Sequence, residues 1–426
     1  MNSSLKEFVR DLAHFTPQYR AARAGLEETF TSGKLHRAVA QAIAYVPYYK
    51  SHGYAGLLPT GSEEFDITKF PIITKEDVIG HEEEMVSDRF FKCLLRQEKT
   101  GGSSGRSMKL FYSPTLSFAR TAQPDILYDR YVGKPFKAAM LRGNRPAGGQ
   151  ISQRIGSKRL VLSSYLMSDA TIDTYLNIIR DEGITCLLAY PSSITVFAHL
   201  VKDRYGVADL PTLKAIMTSS EIFSREDKEL VTSVFPNVTV IDFYSMSEFA
   251  TAAYSIGMGN YEFNFNYGYV EFIDTGDRTP AGNKICEIVA TSVMNDTMPL
   301  IRYATADYAE LDAAGNVINI IGRTSDYAVN KNGKLSPCIV VFSKAPMLKV
   351  LQFQYYQDTP GKVEFHVIPK GDDFNEEDRL TLVRDMEQSF AGAVDCDVKV
   401  VTELEKTRIG KLRRMVQRLD LSQYKK

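Results

Sequence analysis

Between about residues 135 and 245, short apolar runs alternate with amphipathic stretches. This alternation constrains the fold more than any other feature. KAAML, RLVLSS, CLLAY, LKAIMTSS and VTVIDFY have the length and composition of buried strands. Between them, DATIDTYLNIIRDEG, PSSITVFAHLVKDRYG and SREDKELVTSVF carry apolar residues at helical spacing. Ser224 caps the last of these, with Asp227 at its third helical position. Strands separated by helices need crossover connections, so the expected sheet is mainly parallel. Ligands of such sheets gather at the carboxyl ends of the strands.

The flanks read differently. The first ninety residues are mostly helical in pattern, in LKEFVRDL and LHRAVAQAIAYV, and Pro47 ends the second of these. Thr74-Lys75-Glu76-Asp77 reads as a capping box that starts a helix after FPII. From about 260 to 322 the chain is β-rich, in YGYVEFID, ICEIVATS, YAELD and NVINIIG. Thr275-Gly276-Asp277 and Ala314-Gly315-Asn316 read as turns between these strands. Beyond about 327, the strand KVEFHVIPK, the helix EEDRLTLVRDMEQSF and the strand DVKVVTEL imply a small α+β unit.

Composition excludes several classes. The chain has 426 residues, 44% of them hydrophobic, enough for two or three domains with a large core. Its 51 Lys and Arg nearly balance 52 Asp and Glu, which argues against nucleic acid as a partner. No apolar run approaches the roughly 18 residues of a membrane span. MNSSLKEFVRDLAHF has no apolar core and is not expected to act as a signal peptide. Cys93, Cys186, Cys286, Cys338 and Cys396 are scattered and odd in number. No disulfide framework and no zinc site is expected from them, and a reducing cytoplasm fits.

Chemistry concentrates in the run Lys99 to Lys109, KTGGSSGRSMK. Thr100, Gly101, Gly102, Ser103, Ser104 and Gly105 would let backbone N–H groups and hydroxyls approach an anion, with Arg106 and Lys109 adding charge. The run is not a Walker A loop. It matches G-x-S-x-G at Gly101 to Gly105, the serine-hydrolase elbow. That elbow would need an apolar strand before it and Asp and His partners after it. The preceding LLRQEK is mixed, and only His199 and His366 follow. A plain surface turn is a further reading.

The loop resembles the phosphate-binding loop of adenylate-forming enzymes. More narrowly, it is similar to that of phenylacetate-CoA ligase and its capsular-polysaccharide-associated relatives. Other segments resemble that family in its order. They are Ser219-Ser220-Glu221, Tyr244-Ser245-Met246-Ser247-Glu248, Pro299 to Asp307 (PLIRYATAD), Gly322 to Asp326 (GRTSD) and Thr407 to Lys411 (TRIGK). The resemblance implies an α/β fold with a large N-terminal domain, residues 1–325, of parallel-rich sheets plus a β-rich subdomain. A small mobile α+β domain, residues 326–426, would carry the catalytic lysine.

It further implies ATP-dependent activation of a small carboxylic acid to an acyl-adenylate, with coenzyme A as the default acceptor. An amine or a carrier-protein thiol could take its place, and a non-catalytic nucleotide-binding module is a second function class. Because two anions must meet, the site has to offset their repulsion. Glu248 would hold Mg2+. Ser219, Ser220, Glu221, Tyr244 and Ser245 would surround adenine. Asp307 would accept from the ribose hydroxyls, and Arg323 would lie between ribose and phosphates. Lys411 would neutralise charge during adenylation. Asp326 would be the hinge that replaces Lys411 with the Lys331-Asn332-Gly333 loop for the second step. Tyr165, Ser245 and Tyr254 could line an acid pocket suited to an aromatic acid, and a homodimer is compatible with all of this. The chain departs from the family's pattern at Ser107, often proline, and at Ala306 and Cys286, usually glycine.

Overall fold

The structure is a computed structural model. It describes residues 14 and 16–424 apart from 62, 101–106, 144–145, 156–158, 280, 324–326, 339–341, 348, 407–411 and 413. LKEFVRDL therefore lies outside the described residues. Near the N-terminus are α1 (Pro17–Glu27) and α2 (Ser32–Tyr45). α2 ends where Val46 precedes Pro47, because proline disfavours helical backbone in the residue before it. Thr74 and Asp77 form the expected reciprocal capping box at Lys75–Val78. A hairpin follows, β1 (Arg96–Lys99) with β2 (Lys109–Tyr112), and then α3 (Pro114–Tyr131).

The central sheet has eight strands: β3 (Ala138–Leu141), β4 (Ser152–Ile155), β5 (Arg159–Leu162), β6 (Cys186–Ala189), β7 (Ala215–Ser219), β8 (Thr239–Ser245), β9 (Ala252–Ile256) and β10 (Glu262–Phe263). Their spatial order is β10-β9-β8-β7-β6-β3-β5-β4. The five strands expected from the alternation, β3, β5, β6, β7 and β8, pair in parallel. The remaining three pair antiparallel at the edges. Helices α4 (Ile172–Asp181), α5 (Pro191–Tyr205) and α6 (Arg225–Val234) pack on one face, with Leu187, Ile194, Phe197, Ile216 and Val231 in the shared core. Ser224 caps α6, accepting from the Asp227 N–H (3.1 Å) and donating to its carboxylate (2.8 Å). The other face carries α3 residues such as Leu127 against Met217 and Ile241.

The β-rich segment forms a second sheet of β11 (Gly268–Arg278), β12 (Lys284–Ser292), β13 (Tyr303–Leu311) and β14 (Val317–Arg323), all antiparallel and in chain order. Here one expectation is corrected. Thr275-Gly276-Asp277 does not end a strand but bulges within β11, where the register slips between Asp274 and Arg278. Asp274 accepts from the Gly276 N–H and pairs with Arg278, so the kink is closed locally. The chain reverses at Thr279–Asn283 instead. Ala314-Gly315-Asn316 is a turn, its N–H groups gathered by the Asp312 carboxylate.

After the short pair β15 (Tyr327–Val329) and β16 (Leu335–Pro337) comes a sheet ordered β19-β18-β17-β20. It comprises β17 (Val350–Gln357), β18 (Lys362–Pro369), β19 (Asp395–Val400) and β20 (Met415–Gln417), with α7 (Glu376–Ser389) between β18 and β19. It has its own core of Tyr355, Phe365, Leu382 and Met386. This sheet abuts the central one at α5. Leu351 packs against the central core, and Lys370 reaches Asp203 (3.3 Å). Covered on both sides, α5 buries Ile194 to Val201 without a break, against the usual one-sided pattern. Among the described residues no helix is long and apolar enough to cross a membrane.

Candidate active site

The carboxyl ends of β7 and β8 bring the first two motifs side by side, since Ser219 pairs with Phe243 across the parallel ladder. Ser219 is buried, with its hydroxyl 3.3 Å from that of Ser220. Ser220 takes φ +74°, a left-handed turn that throws the chain off the strand end. Tyr244, one residue further along β8, donates its hydroxyl to Asp307 Oδ2 (2.8 Å). That bond joins the central sheet to β13 of the second sheet. Asp307 is buried and lies opposite Arg323 in the β13–β14 register. The Arg323 side chain is outside the described residues. Ser245 is exposed at the end of β8.

Glu248 is buried in the turn after β8, beside Phe249 at φ +56°. Asn295 holds the Glu248 carbonyl (3.3 Å), and Tyr112 holds that of Ser247 (2.8 Å). The carboxylate-bearing turn is thus anchored to β2 and to the connection between β12 and β13. Among the described residues no group of three or more His, Cys, Asp or Glu is placed to hold a metal. Magnesium asks for less, one or two carboxylates plus substrate oxygens, and a single buried Glu248 fits that demand.

The glycine-rich loop itself, Gly101 to Arg106, lies outside the described residues, but its base does not. Thr100 and Met108 exchange hydrogen bonds (Thr100 N–H to Met108 O and Met108 N–H to Thr100 Oγ1, both 2.9 Å). The Ser107 hydroxyl donates to the Thr100 carbonyl (3.0 Å). The loop therefore links two antiparallel strands, whereas a hydrolase elbow runs from strand into helix. Lys109 is engaged by Glu83 (3.1 Å) at a half-exposed edge.

Glu221 does more than complete the Ser219-Ser220 turn. Its Oε2 accepts from the Ser192 N–H at the start of α5 (3.0 Å), and its Oε1 accepts from the Leu412 N–H (2.8 Å). Leu412 bridges to Lys406 in an antiparallel pair, and Lys406 Nζ lies over the Tyr165 ring (4.9 Å). Thr407 to Lys411 are outside the described residues, as is Asp326. Both residues flanking 407–411 nonetheless rest against the strand ends that hold Glu221 and Tyr165.

Tyr254 does not join this group. It pairs with Phe243, so it faces away from Tyr244 on the adjacent residue. Its hydroxyl is taken up by Arg130 (3.2 Å) and Glu262 (2.5 Å), next to α3. Sequence reasoning also missed Arg302 within PLIRY. It is buried and forms a fork on Glu271 (3.0 and 2.9 Å) while donating to the carbonyls of Thr68 and Phe70. This side chain stitches the second sheet to the N-terminal segment. Nothing in a strand-start arginine announces partners more than two hundred residues away.

No family model matches the chain. In sequence it is 24% identical over 279 residues to protein CapK of Staphylococcus aureus, covering 62% of this chain and 60% of that one. It is 22% identical over 304 residues to phenylacetate-coenzyme A ligase of Escherichia coli (strain K12), covering 65% of each. The matches thus span less than two thirds of these relatives' length. In structure it is similar to 2-hydroxyisobutyryl-CoA ligase in the postadenylation state, bound to R3-HIB-AMP. The TM-score is 0.62 at 15% identity, covering 90% of this chain and 88% of that one. Against the same ligase in the thioesterification state, with 2-HIB-AMP and CoA, the TM-score is 0.50 at 14% identity, covering 95% and 91%. The chain thus has the fold seen in adenylate-forming ligases, and in sequence it resembles phenylacetate-coenzyme A ligase.

Proposed function

We propose that the protein activates a carboxylic acid with ATP and passes the acyl group to coenzyme A. In the first step a carboxylate oxygen attacks the α-phosphorus, the bond to the β-phosphate bridging oxygen breaks, and pyrophosphate leaves with the electron pair. In the second the thiolate of coenzyme A attacks the acyl carbon and AMP departs. The observation that carries this reading is the Tyr244–Asp307 hydrogen bond, which unites a strand-end aromatic and a buried carboxylate from two sheets. A carboxylate has about four acceptor sites, so Asp307 can hold one phenol and still accept from two ribose hydroxyls. The Tyr244 ring is the stacking partner for adenine.

Glu248 would hold Mg2+, which when bound offsets the charge of the phosphates. The loop from Thr100 to Lys109 cradles those phosphates, and Arg323 lies between them and the ribose. Lys411 enters for adenylation, and the segment from 326 onward then swivels about Asp326 to exchange it for the Lys331-Asn332-Gly333 loop. The anchoring of the flanking Lys406 and Leu412 at the strand ends supports the first of these positions.

ATP–pyrophosphate exchange across a panel of carboxylic acids tests the reading. Acid-dependent exchange is expected, and Lys411→Ala should depress it by orders of magnitude while leaving the fold intact. ATP binding without exchange for any acid would mean a nucleotide-binding module instead. Product analysis with coenzyme A, an amine or a carrier protein then assigns the acceptor, with the thioester of coenzyme A expected.

A further inference from the structure

Arg142 directly follows β3, at the carboxyl end of the strand that lies between β5 and β6. On one side is Tyr190, whose N–H donates to the Leu141 carbonyl (3.1 Å). On the other is the chain leaving β5, where the Tyr165 N–H rests on Ser163 Oγ (3.2 Å). The guanidinium Nε is shielded from solvent and donates to nothing. Among the described residues no carboxylate lies within ion-pair distance of Arg142.

A shielded cationic donor without an acceptor is costly, and the cost is relieved when a ligand brings the anion. The nearby Glu221 is not that anion, since it makes no ion pair with Arg142 and its oxygens accept from the Ser192 and Leu412 N–H groups. Burial raises the pKa of the Tyr190 phenol, Arg142 lowers it and Glu221 raises it, so both charges act on the same small region. From β3 across β6 to β7 is two strand spacings, about 10 Å. Leu141 is level with Ala189 and Ala189 with Thr218, so Arg142 and Ser219 follow at the same carboxyl edge of the sheet, two strands apart.

We propose that Arg142 is a specificity-determining residue that holds a second anionic group on the acid, so that the substrate is a dicarboxylic or otherwise doubly anionic acid. The inference rests on the ligase reading above. One carboxylate attacks the α-phosphorus, and the other is held two-pronged by the planar guanidinium, a geometry Arg provides and Lys does not. A phosphate of coenzyme A shares this anionic chemistry. The shielded Nε, however, suits a small group entering between strand ends better than a bulky diphosphate lying along the surface.

The test measures ATP–pyrophosphate exchange with the full chain on matched acids, benzoate against terephthalate and butyrate against succinate. Wild type and Arg142→Gln are compared, with KM for coenzyme A in thioester formation, calorimetric binding of both diacids, and Tm. The expected result is a diacid favoured at least tenfold in kcat/KM over its monoacid. Arg142→Gln should raise that diacid's KM by about 10–100-fold, an effect of roughly 1.4–2.8 kcal/mol. KM for ATP should stay within about twofold, and Tm should not fall, since no native partner is lost. Exchange driven by monoacids with every acid KM unmoved by Arg142→Gln would overturn the inference and leave the ligase reading standing. So would a shift confined to KM for coenzyme A, or a fall in Tm with acid KM unchanged. Diacid binding that Arg142→Gln abolishes, without exchange for any acid, would keep the anion site and overturn the ligase reading. Neither binding nor exchange would overturn both.

Discussion

Four non-glycine residues with left-handed backbone fall within or beside the site motifs: Ser220 (φ +74°), Phe249 (φ +56°), Arg302 (φ +49°) and Ala306 (φ +58°). Such residues each cost on the order of 1–3 kcal/mol and persist where surrounding structure imposes them. Ala306 is the clearest case, because the family pattern has glycine there and the backbone takes the conformation glycine favours. Its neighbours impose it, for Thr305 Oγ1 accepts from the Asp307 N–H (3.1 Å) and donates to the Ile288 carbonyl (2.7 Å). Ala306→Gly relieves about 1–2 kcal/mol of left-handed strain but adds about 0.5–1 kcal/mol of unfolded-state entropy. The expected net is a gain of about 0.5–1 kcal/mol in urea unfolding, and a loss of stability would show that the methyl group packs usefully beside Asp307. The Tyr244–Asp307 bond makes a second residue-scale prediction. Tyr244→Phe keeps the ring but removes a donor to a buried carboxylate, and should cost about 1.5–3 kcal/mol of stability. KM for ATP should rise with it, and a variant unchanged in both would remove Asp307 from the nucleotide site.

At the scale of elements, legibility followed local periodicity. β3, β5, β6, β7 and β8, the helices between them and the caps at Thr74 and Ser224 were readable because each is specified within about fifteen residues. The 18-residue helix α3 was not, since Pro124 interrupts it and apolar residues spread around it without one stripe. β4 and β9 pair antiparallel at the sheet edges, where alternation is weak and tertiary context decides. The strand-end motifs showed which residues to gather. They could not show that Glu221 clasps two segments or that Arg142 Nε has no acceptor among the described residues. Both facts depend on residues far apart in the chain.

The Glu221 clasp is testable. Glu221→Ala leaves the Ser192 and Leu412 N–H groups without their acceptor and should cost about 1–3 kcal/mol. Adenylation should fall more than thioester formation from a supplied acyl-adenylate, and equal falls would make the clasp a purely structural tie. Helix α5 adds a pH dependence. His199 is buried there with Nδ1 unpartnered, and burial, aided by Lys370 and Lys202, lowers its pKa from 6.5 to about 3. Below pH 6.5 the unfolded chain takes up a proton that the folded chain refuses, so stability falls as pH drops through that window towards about 3. The loss approaches about 1.4 kcal/mol per pH unit from this group. His199→Leu should flatten the slope of unfolding free energy against pH by that amount, and an unchanged slope would mean that His199 protonates in place.

For the whole molecule, the question is how firmly the C-terminal sheet is held. Among the described residues its contacts with the central domain are of modest kind and include Leu351 on the central core, the Lys370–Asp203 pair, Lys406 over the Tyr165 ring and the Glu221–Leu412 hydrogen bond. An exposed ion pair contributes about 0–1 kcal/mol, and a single hydrogen bond to a charged group about 1.5–3 kcal/mol. The C-terminal sheet keeps its own core of Tyr355, Phe365, Leu382 and Met386, so the proposed swivel would not require that core to come apart. An attachment of a few kcal/mol is what the proposed two-position cycle would need, since a much deeper well would trap one arrangement. The near-zero net charge is compatible with the proposed site, which would need positive charge only locally, at Arg106, Lys109, Arg142, Arg323 and Lys411. If residue 326 is the pivot, Asp326→Pro fixes φ near −65° and freezes one arrangement. Single-turnover kinetics should then show one half-reaction retained and the other slowed by orders of magnitude. The structure's arrangement, with Leu412 docked on Glu221, favours retention of adenylation. Rates that fall together, or neither falling, would place the pivot elsewhere or show that both steps share one arrangement.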